Sequence, residues 1–175
     1  MIAYRDATIE DAAAIDALFR RSFADTFAHL YDPADLAAFF AEFTEAGWRR
    51  ELADPGFAFR LAEEAGPLAE EAGPLAGYAK VGPLSLPAEP AGPAVELRSF
   101  YLLRRWHGAG IAPVLMDWVL TEARRRGAGE LYLSVFVDNH RAKRFYARYG
   151  FEAVGPYVFM VGNQADEDII MRLKL

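Results

Sequence analysis

The order of hydrophobic and polar positions predicts helices in the first third of the chain. A short strand over residues 1–5 precedes a helix that ends near residue 23, with acids in its first turn. Asp32 and Pro33 predict the start of a second helix, because proline is tolerated at the first helical position. Thr44 is predicted to cap a third helix, which a turn over residues 54–56 ends.

Strand signals follow this turn and predict an antiparallel pair over residues 57–61 and 77–81. Between them the heptapeptide AEEAGPL occurs twice in succession, at residues 62–68 and 69–75. A single duplication of seven residues is too short for a solenoid, so we expect it to lengthen the hairpin loop.

The second half of the chain alternates strands with helices. The predicted elements are strand, helix, strand, helix, strand and strand, over residues 95–102, 108–126, 130–137, 139–149, 151–160 and 168–173. Their short links predict an α/β fold around a sheet that is partly parallel. The length of 175 residues predicts one domain over 1–175 with one sizeable core.

Composition narrows the chemistry that such a domain can perform. Cysteine is absent, which excludes disulfides, thiolate metal sites and a cysteine nucleophile, and the histidines at 29 and 140 form no metal-ligand pattern. A net charge of −6 disfavours nucleic-acid binding and suits a cationic substrate. The sequence shows neither a signal peptide nor an apolar run that could cross a bilayer, so we expect a cytoplasmic protein that makes no membrane contact.

The segment RRWHGAGIA, residues 104–112, joins a predicted strand to a predicted helix. Gly108 and Gly110 would let a ligand approach the backbone, and free N–H groups at the helix start would hold an anion such as a pyrophosphate. Taken alone, these glycines favour a simple tight turn over a phosphate site. A dinucleotide-binding G-x-G-x-x-G is excluded because Pro113 stands at the third glycine, and Walker and hydrolase motifs do not occur.

A second motif, NHRAKRFYARYGF, begins at Asn139 and predicts a helix with an aromatic stripe. Phe145, Tyr146 and Tyr149 recur at helical spacing, which favours packing in the core for most of them. Asn139 is predicted to cap the helix, and Gly150 to end it.

Together and in this order, the motifs resemble those of the GNAT superfamily of acetyl-CoA-dependent N-acetyltransferases. The resemblance covers about the C-terminal half: R-x-x-G-x-G from Arg105, then N-x-x-A-x-x-F-Y from Asn139, then GF. It implies a mixed, largely antiparallel central sheet flanked by helices, with a parallel pair splayed to admit coenzyme A. It further implies that acetyl-CoA is held by Phe100, Tyr101, Leu102, Arg105, His107, Gly108, Ala109, Gly110, Ile111, Ala112 and Asn139.

The resemblance also implies two catalytic residues. Tyr146 would face the thioester sulfur as a general acid, and Glu96, six residues before Leu102, would be the general base. A solvent-facing strand carboxylate is the alternative interpretation of Glu96. An alkylamine of pKa near 10.4 loses its proton at pH 7 at a cost of roughly 4–5 kcal/mol, which a base or an ordered water must help to meet.

Residues 22–40 lie where GNAT members usually shape the acceptor site. The residues expected there form an aromatic wall with one carboxylate, a seat for an ammonium group: Phe23, Asp25, Thr26, Phe27 and Tyr31. The alternative is that the phenylalanines pack in the core and Asp25 caps a turn.

The same stretch, with the terminal YVFMVGNQADEDIIMRL, resembles bacterial polyamine (spermidine/spermine) N-acetyltransferases. We therefore expect a small-molecule amine as the acceptor, and a polyamine as its first candidate. A peptide or protein amine and a non-catalytic acyl-CoA-binding sensor remain open as alternatives. Dimers are common among proteins of this kind, which makes a homodimer a further expectation.

Overall fold

The computed structural model describes residues 1–65 and 73–175, so residues 66–72 of the tandem repeat, and the hairpin loop predicted there, lie outside the described residues. None of the helices in these two ranges is long and apolar enough to cross a membrane. The strands and longer helices are β1 (Ile2–Asp6), α1 (Ala12–Phe27), α2 (Pro33–Ala41), α3 (Glu45–Ala53), β2 (Ala58–Glu64), β3 (Leu75–Pro83), β4 (Ala94–Leu102), α4 (Ile111–Arg125), β5 (Glu130–Phe136), α5 (His140–Arg148), β6 (Glu152–Val161) and β7 (Gln164–Lys174).

The strands form one seven-stranded sheet in the order β1-β2-β3-β4-β5-β7-β6. Every neighbouring pair is antiparallel except β4 and β5, which are parallel. The predicted fold class, a mixed and largely antiparallel sheet flanked by helices, is therefore confirmed.

The parallel pair is joined over a short length. Within the described residues, β4 and β5 pair from Ala94 with Glu130 to Glu96 with Tyr132, three pairs in all. Beyond these pairs β4 stays bonded to β3 as far as Leu102, and β5 stays bonded to β7 as far as Phe136. The two strands consequently separate towards their carboxyl ends and leave a gap in the sheet.

The sheet divides the core into two main halves. Helices α1 to α3 cover one face, where Phe19, Phe39 and Trp48 are each 3–4% exposed and pack with Tyr78 of β3. Helices α4 and α5 cover the other face, where Leu115 and other buried residues of α4 pack with the inward side chains of β5. Burial of apolar surface on both faces fixes the strand ends, and so the gap, in place.

Several element boundaries differ from the sequence prediction, and two of these differences bear on the site. Helix α1 continues four residues past Phe23, because residues 24–27 contain no breaker and the ring of Phe27 packs 5.1 Å from that of Phe23. Strand β7 begins at Gln164 instead of residue 168, because Gly162, with a φ of 57°, allows a two-residue turn that pairs Val161 with Gln164.

Candidate active site

A cavity of about 530 Å³ lies between the end of β4, the glycine turn and α5. Of the eleven residues that the sequence predicted for the cofactor, eight line this cavity: Phe100, Tyr101, Leu102, His107, Gly108, Gly110, Ala112 and Asn139. The remaining three are placed differently. Ile111 is 1% exposed and anchors α4 in the core, Arg105 pairs with Glu64 of β2, and Ala109 lies in the turn without lining the cavity.

The glycine turn has a backbone that favours glycine at two positions. Gly108 and Gly110 have φ values of 82° and 81°, a left-handed conformation that costs other residues about 1–2 kcal/mol. A Cβ added to either would meet no atom within 4 Å. Gly110 caps α4, so the first N–H groups of this 15-residue helix have no intrahelical acceptor and are available to an anion.

Basic side chains from α5 face the same cavity. Arg141, Arg144 and Arg148 line it at helical spacing. Arg141 hydrogen-bonds Nδ1 of His107, while Nε2 of His107 lies 2.9 Å from the carbonyl oxygen of Leu102. Burial, and then the charge of Arg141, lower the pKa of His107, which favours a neutral ring that donates from Nε2 to Leu102. The cavity therefore combines helix-start N–H groups with positive charge, as a polyphosphate requires.

A second cavity, of about 190 Å³, lies at the gap between β4 and β5. It shares six lining residues with the first cavity: Phe27, Phe100, Tyr101, Asn139, Ala142 and Tyr146. A molecule in one cavity and a molecule in the other would meet at these residues. The gap in the sheet thus connects two separate binding spaces.

Tyr146 and Asn139 are the polar residues of α5 and its cap at this meeting point. Tyr146 is 8% exposed, and burial raises the pKa of its hydroxyl, which stays a neutral hydrogen-bond donor. Asn139 is the N-cap of α5, and its Oδ1 accepts a hydrogen bond of 3.2 Å from the N–H of Ala142. Capping uses the oxygen of Asn139 and leaves its amide N–H groups for a ligand.

Aromatic rings form the wall of the second cavity, as predicted in part from the sequence. Phe23 and Tyr31 stack with their centroids 6.1 Å apart, and Phe27 lies 6.1 Å from Phe136 of β5. Phe159 of β6 completes the wall. The faces of such rings attract cations.

Two carboxylates that the sequence reasoning missed lie beside this wall. Asp166 and Asp168 of β7 line the second cavity and are 7% and 8% exposed. The Tyr31 hydroxyl donates to Oδ2 of Asp166, and Gln164 Nε2 donates to Oδ1 at 3.1 Å. Burial, together with the charge of Asp166, raises the pKa of Asp168 to about 6, although a hydrogen bond from the Ser134 hydroxyl acts in the opposite direction.

The sequence feature that indicates this pair of carboxylates is the alternation of inward-facing and outward-facing residues along β7. Asp166, Asp168 and Ile170 occupy alternate positions, and Ile170 is 3% exposed. Because alternate residues of a strand share one face, the two acids must lie on the inward face with Ile170. Because the sequence prediction began this strand at residue 168, it left Asp166 outside the strand, and the alternation was not recognised.

Glu96 lies apart from the other predicted site residues. Its Oε2 accepts hydrogen bonds from Ser85 N at 2.8 Å, Ser85 Oγ at 3.1 Å and Leu86 N at 3.2 Å, and it lines neither of the two cavities. The side chain is 7% exposed, so it is not a solvent-facing carboxylate either. The Glu96 carboxylate thus attaches the loop that follows β3 to strand β4. This geometry gives no support to a role as general base, because the carboxylate is already engaged away from Tyr146.

Asp25 and Thr26 also lie outside the second cavity. Asp25 is exposed on α1, 4.0 Å from Arg21, while Thr26 lines the first cavity and donates to the carbonyl oxygen of Ser22 at 2.9 Å. The carboxylates beside the aromatic wall therefore come from β7 and not from α1. Within residues 1–65 and 73–175, no group of three or more His, Asp or Glu side chains is arranged to hold a metal ion.

The chain is similar to known proteins over nearly its whole length. Residues 15–151 match the family model described as "Acetyltransferase (GNAT) family". An uncharacterised N-acetyltransferase of Mycobacterium bovis is 32% identical over 92% of the chain and 96% of its own length. The PaiA N-acetyltransferase of Thermoplasma acidophilum, solved in complex with coenzyme A, has a TM-score of 0.78 at 19% identity and covers 100% of the chain and 99% of its own. The ribosomal-protein-alanine N-acetyltransferase of Brucella melitensis has a TM-score of 0.72 at 24% identity, covering 99% of both chains.

Proposed function

Because the chain belongs to the GNAT acetyltransferase family and is an N-acetyltransferase, we propose that it acetylates a primary amine of a small molecule, with acetyl-CoA as donor. The observation that carries this proposal is the second cavity, where an aromatic wall and two buried carboxylates lie beside the gap in the sheet. An ammonium group is the chemistry that such a lining recognises.

The first cavity fits coenzyme A. The left-handed glycines leave open space in front of the turn, the start of α4 offers free N–H groups, and the arginines of α5 supply positive charge. We assign the pyrophosphate to residues 107–112 and the pantetheine arm to the backbone of Tyr101 and Leu102. Bound there, acetyl-CoA supplies an acetyl carbon that its thioester activates towards attack.

The chain's own polar groups would assist transfer at the meeting point of the cavities. The amine nitrogen forms a bond to the acetyl carbon, the carbon–sulfur bond breaks, and the sulfur leaves with its electron pair as a thiolate. Tyr146 is the donor that would hydrogen-bond this sulfur. Since burial raises the pKa of Tyr146 above 10, and a thiol titrates near 8.5, full proton transfer is uphill by about 2 kcal/mol or more. Tyr146 would therefore stabilise the leaving sulfur mainly by hydrogen bonding.

The arrangement of charge favours an acceptor with more than one amine. The carboxylates of Asp166 and Asp168 lie two residues apart on one strand, and both face the cavity. One ammonium group could be held at Asp166 and Tyr31 while a second reaches the gap between β4 and β5, with the connecting methylenes against the aromatic rings. We accordingly take a polyamine such as spermidine as the first candidate.

Release of free thiol from acetyl-CoA across a panel of amines tests the proposal. We expect turnover with spermidine, slower turnover with a monoamine of similar length, and least with a peptide that has a free N-terminus. Asp166→Asn should raise KM for spermidine more than for the monoamine, whereas Glu167→Gln, an exposed neighbour on the same strand, should change neither. Preference for the peptide would favour a protein acetyltransferase. Retained acetyl-CoA binding without any turnover would favour a sensor.

Further expectations from the sequence belong to the same proposal. These are a single domain over residues 1–175, a location in the cytoplasm and assembly as a homodimer. Light scattering of the purified protein measures the assembly, and a monomer at micromolar concentration would contradict the last of them.

A further inference from the structure

The reaction needs a group that removes a proton from the acceptor, and Glu96, the base predicted from the sequence, lines neither of the two cavities. An amine of pKa near 10.4 arrives as an ammonium ion at neutral pH, and only its neutral form has the electron pair that attacks. Glu96 is held by Ser85 and Leu86. The groups that line the second cavity are the other candidates for the proton acceptor.

The two carboxylates of that cavity differ in what already engages them. Asp166 accepts hydrogen bonds on both oxygens, from Tyr31 and from Gln164. Asp168 has a hydroxyl, that of Ser134, and a second carboxylate, that of Asp166, as its polar neighbours. Among the described residues that shift its titration there is no cation. Both oxygens of Asp166 are thus already engaged, whereas Asp168 is a buried carboxylate that still lacks a positive partner.

The position of Asp168 in the sheet brings it to the gap. It pairs in register with Phe136, the last residue of β5, on the side of β5 away from β4. Its cavity also contains Tyr146 and Asn139, the residues that line both binding spaces. An amine held against the aromatic wall would lie between this carboxylate and the meeting point of the cavities.

We propose that Asp168 is the catalytic base, the group that takes the proton from the acceptor's ammonium before the nitrogen attacks the acetyl carbon. This inference rests on the proposed function. The ammonium N–H bond breaks, its proton goes to an oxygen of Asp168, and its electron pair stays on nitrogen for the new carbon–nitrogen bond. When the carbon–sulfur bond has broken, the second proton of the amine goes to the thiolate or to solvent, and Asp168 returns its own proton to solvent.

The raised pKa of Asp168 is suited to accepting a proton from the acceptor's ammonium group. Burial raises its pKa to about 6, so it is ionised at neutral pH and is roughly a hundredfold more basic than an exposed aspartate. The other titratable or charged groups that face it are Asp166 on β7, Tyr31 after α1, Tyr101 and Arg98 on β4, and Tyr146 on α5. Burial raises the pKa of all three tyrosines, so these stay neutral near pH 6.

Arg98 lines the same cavity but points elsewhere. Its Nη1 donates to the carbonyl oxygen of Pro83 at 3.3 Å and to the hydroxyl of Ser85, and its Nε lies 3.8 Å from Glu96. Its charge is thereby directed to the loop that covers Glu96. The ionisation of Asp168 should then appear as its own acid limb in the pH profile, with activity lost as pH falls through about 6.

The test is the pH dependence of kcat/KM for the best amine of the panel, in Asp168→Asn and in Glu167→Gln as the matched control. Both changes turn an acid of β7 into its amide, but Glu167 is exposed on the opposite face. We expect Asp168→Asn to lower kcat by about 100-fold or more and to abolish the acid limb near pH 6, with acetyl-CoA binding retained. Glu167→Gln should keep both kcat and the limb.

A second variant distinguishes the loss of the base from a purely structural effect of the substitution. Asp168→Glu restores a carboxylate one methylene away and should return part of the activity together with an acid limb. An Asp168→Asn enzyme that binds acetyl-CoA and keeps both the limb and kcat within about threefold of the native value would overturn the assignment of Asp168 alone. Failure of the native enzyme to acetylate any amine would overturn the proposed function and this inference with it.

Discussion

Replacing Asp168 by asparagine should make the protein more stable at neutral pH while it makes the enzyme less active. The carboxyl group is 8% exposed, and its pKa rises from 3.8 to about 6 on folding, a change of about two units. At about 1.4 kcal/mol per unit, the ionised Asp168 costs the native state up to about 3 kcal/mol at pH 7. Asparagine keeps the shape of the side chain and removes that cost.

The direction of the pKa shift determines the pH range in which Asp168 changes the free energy of unfolding. The folded protein binds this proton more tightly than the unfolded chain does, so the contribution of Asp168 is most favourable below pH 4 and is lost as pH rises through about 6. The asparagine variant should therefore exceed the native free energy of unfolding by up to about 3 kcal/mol at pH 7. Near pH 4 Asp168 is largely neutral in the folded protein, as asparagine is at any pH, and the difference should shrink to about 0.5 kcal/mol.

Urea unfolding at pH 7 and at pH 4, followed by tryptophan fluorescence, measures this difference. For a chain of this size, 3 kcal/mol corresponds to a rise in Tm of roughly 6–12 °C at pH 7. Glu167→Gln, at an exposed position, should change the free energy of unfolding by no more than about 0.5 kcal/mol at either pH. A variant that is no more stable than the native protein at pH 7, or equally stabilised at both pH values, would refute the reasoning.

Three further variants test the rest of the site. Gly108→Ala should raise the Kd for acetyl-CoA at least about tenfold in calorimetry, because the added Cβ would enter the cavity. Gly127, at the end of α4, has a similar positive φ and serves as the control. Gly127→Ala should introduce the same strain of about 1–2 kcal/mol and leave the Kd unchanged. Tyr146→Phe should lower turnover about tenfold or more with little change in that Kd, and unchanged turnover would remove its hydroxyl from the mechanism. Glu96→Gln should lower the free energy of unfolding by about 1–3 kcal/mol and keep the acid limb, and disappearance of the limb would return Glu96 to the role of base.

The parts of the site that the sequence predicts are those with a local physical signature. Gly108 and Gly110 are recognisable because a left-handed backbone before a helix favours glycine, and the structure gives both a positive φ. Asn139 is recognisable as a residue type that caps helices, and it caps α5. The spacing of Tyr146 predicts only an aromatic stripe that packs in the core, and its place in the site was implied by the resemblance to GNAT proteins.

The acceptor side depends on contacts between distant parts of the chain. Asp166 meets Tyr31 across 135 residues, and only the antiparallel pairing of β5 with β7 brings Asp168 to the gap. The availability of Glu96 also depends on such a contact. Its residue type and position on β4 agree with a base, but the fold of the loop at Ser85 decides whether its carboxylate is available, and no periodicity in the sequence reports that contact.

The short length over which β4 pairs with β5 affects how proteins with this fold can diverge in their choice of acceptor. An opening between two strands is determined by strand direction and register, so exchanging individual side chains does not close it. The glycine turn lies on one side of the opening, whereas Tyr31, Phe159 and Asp168 lie on the other and belong to different segments of the chain. Acceptor preference can therefore evolve by substitutions in those segments while donor entry stays constant, and an exchange of the wall residues is the natural route to an enzyme for a different amine.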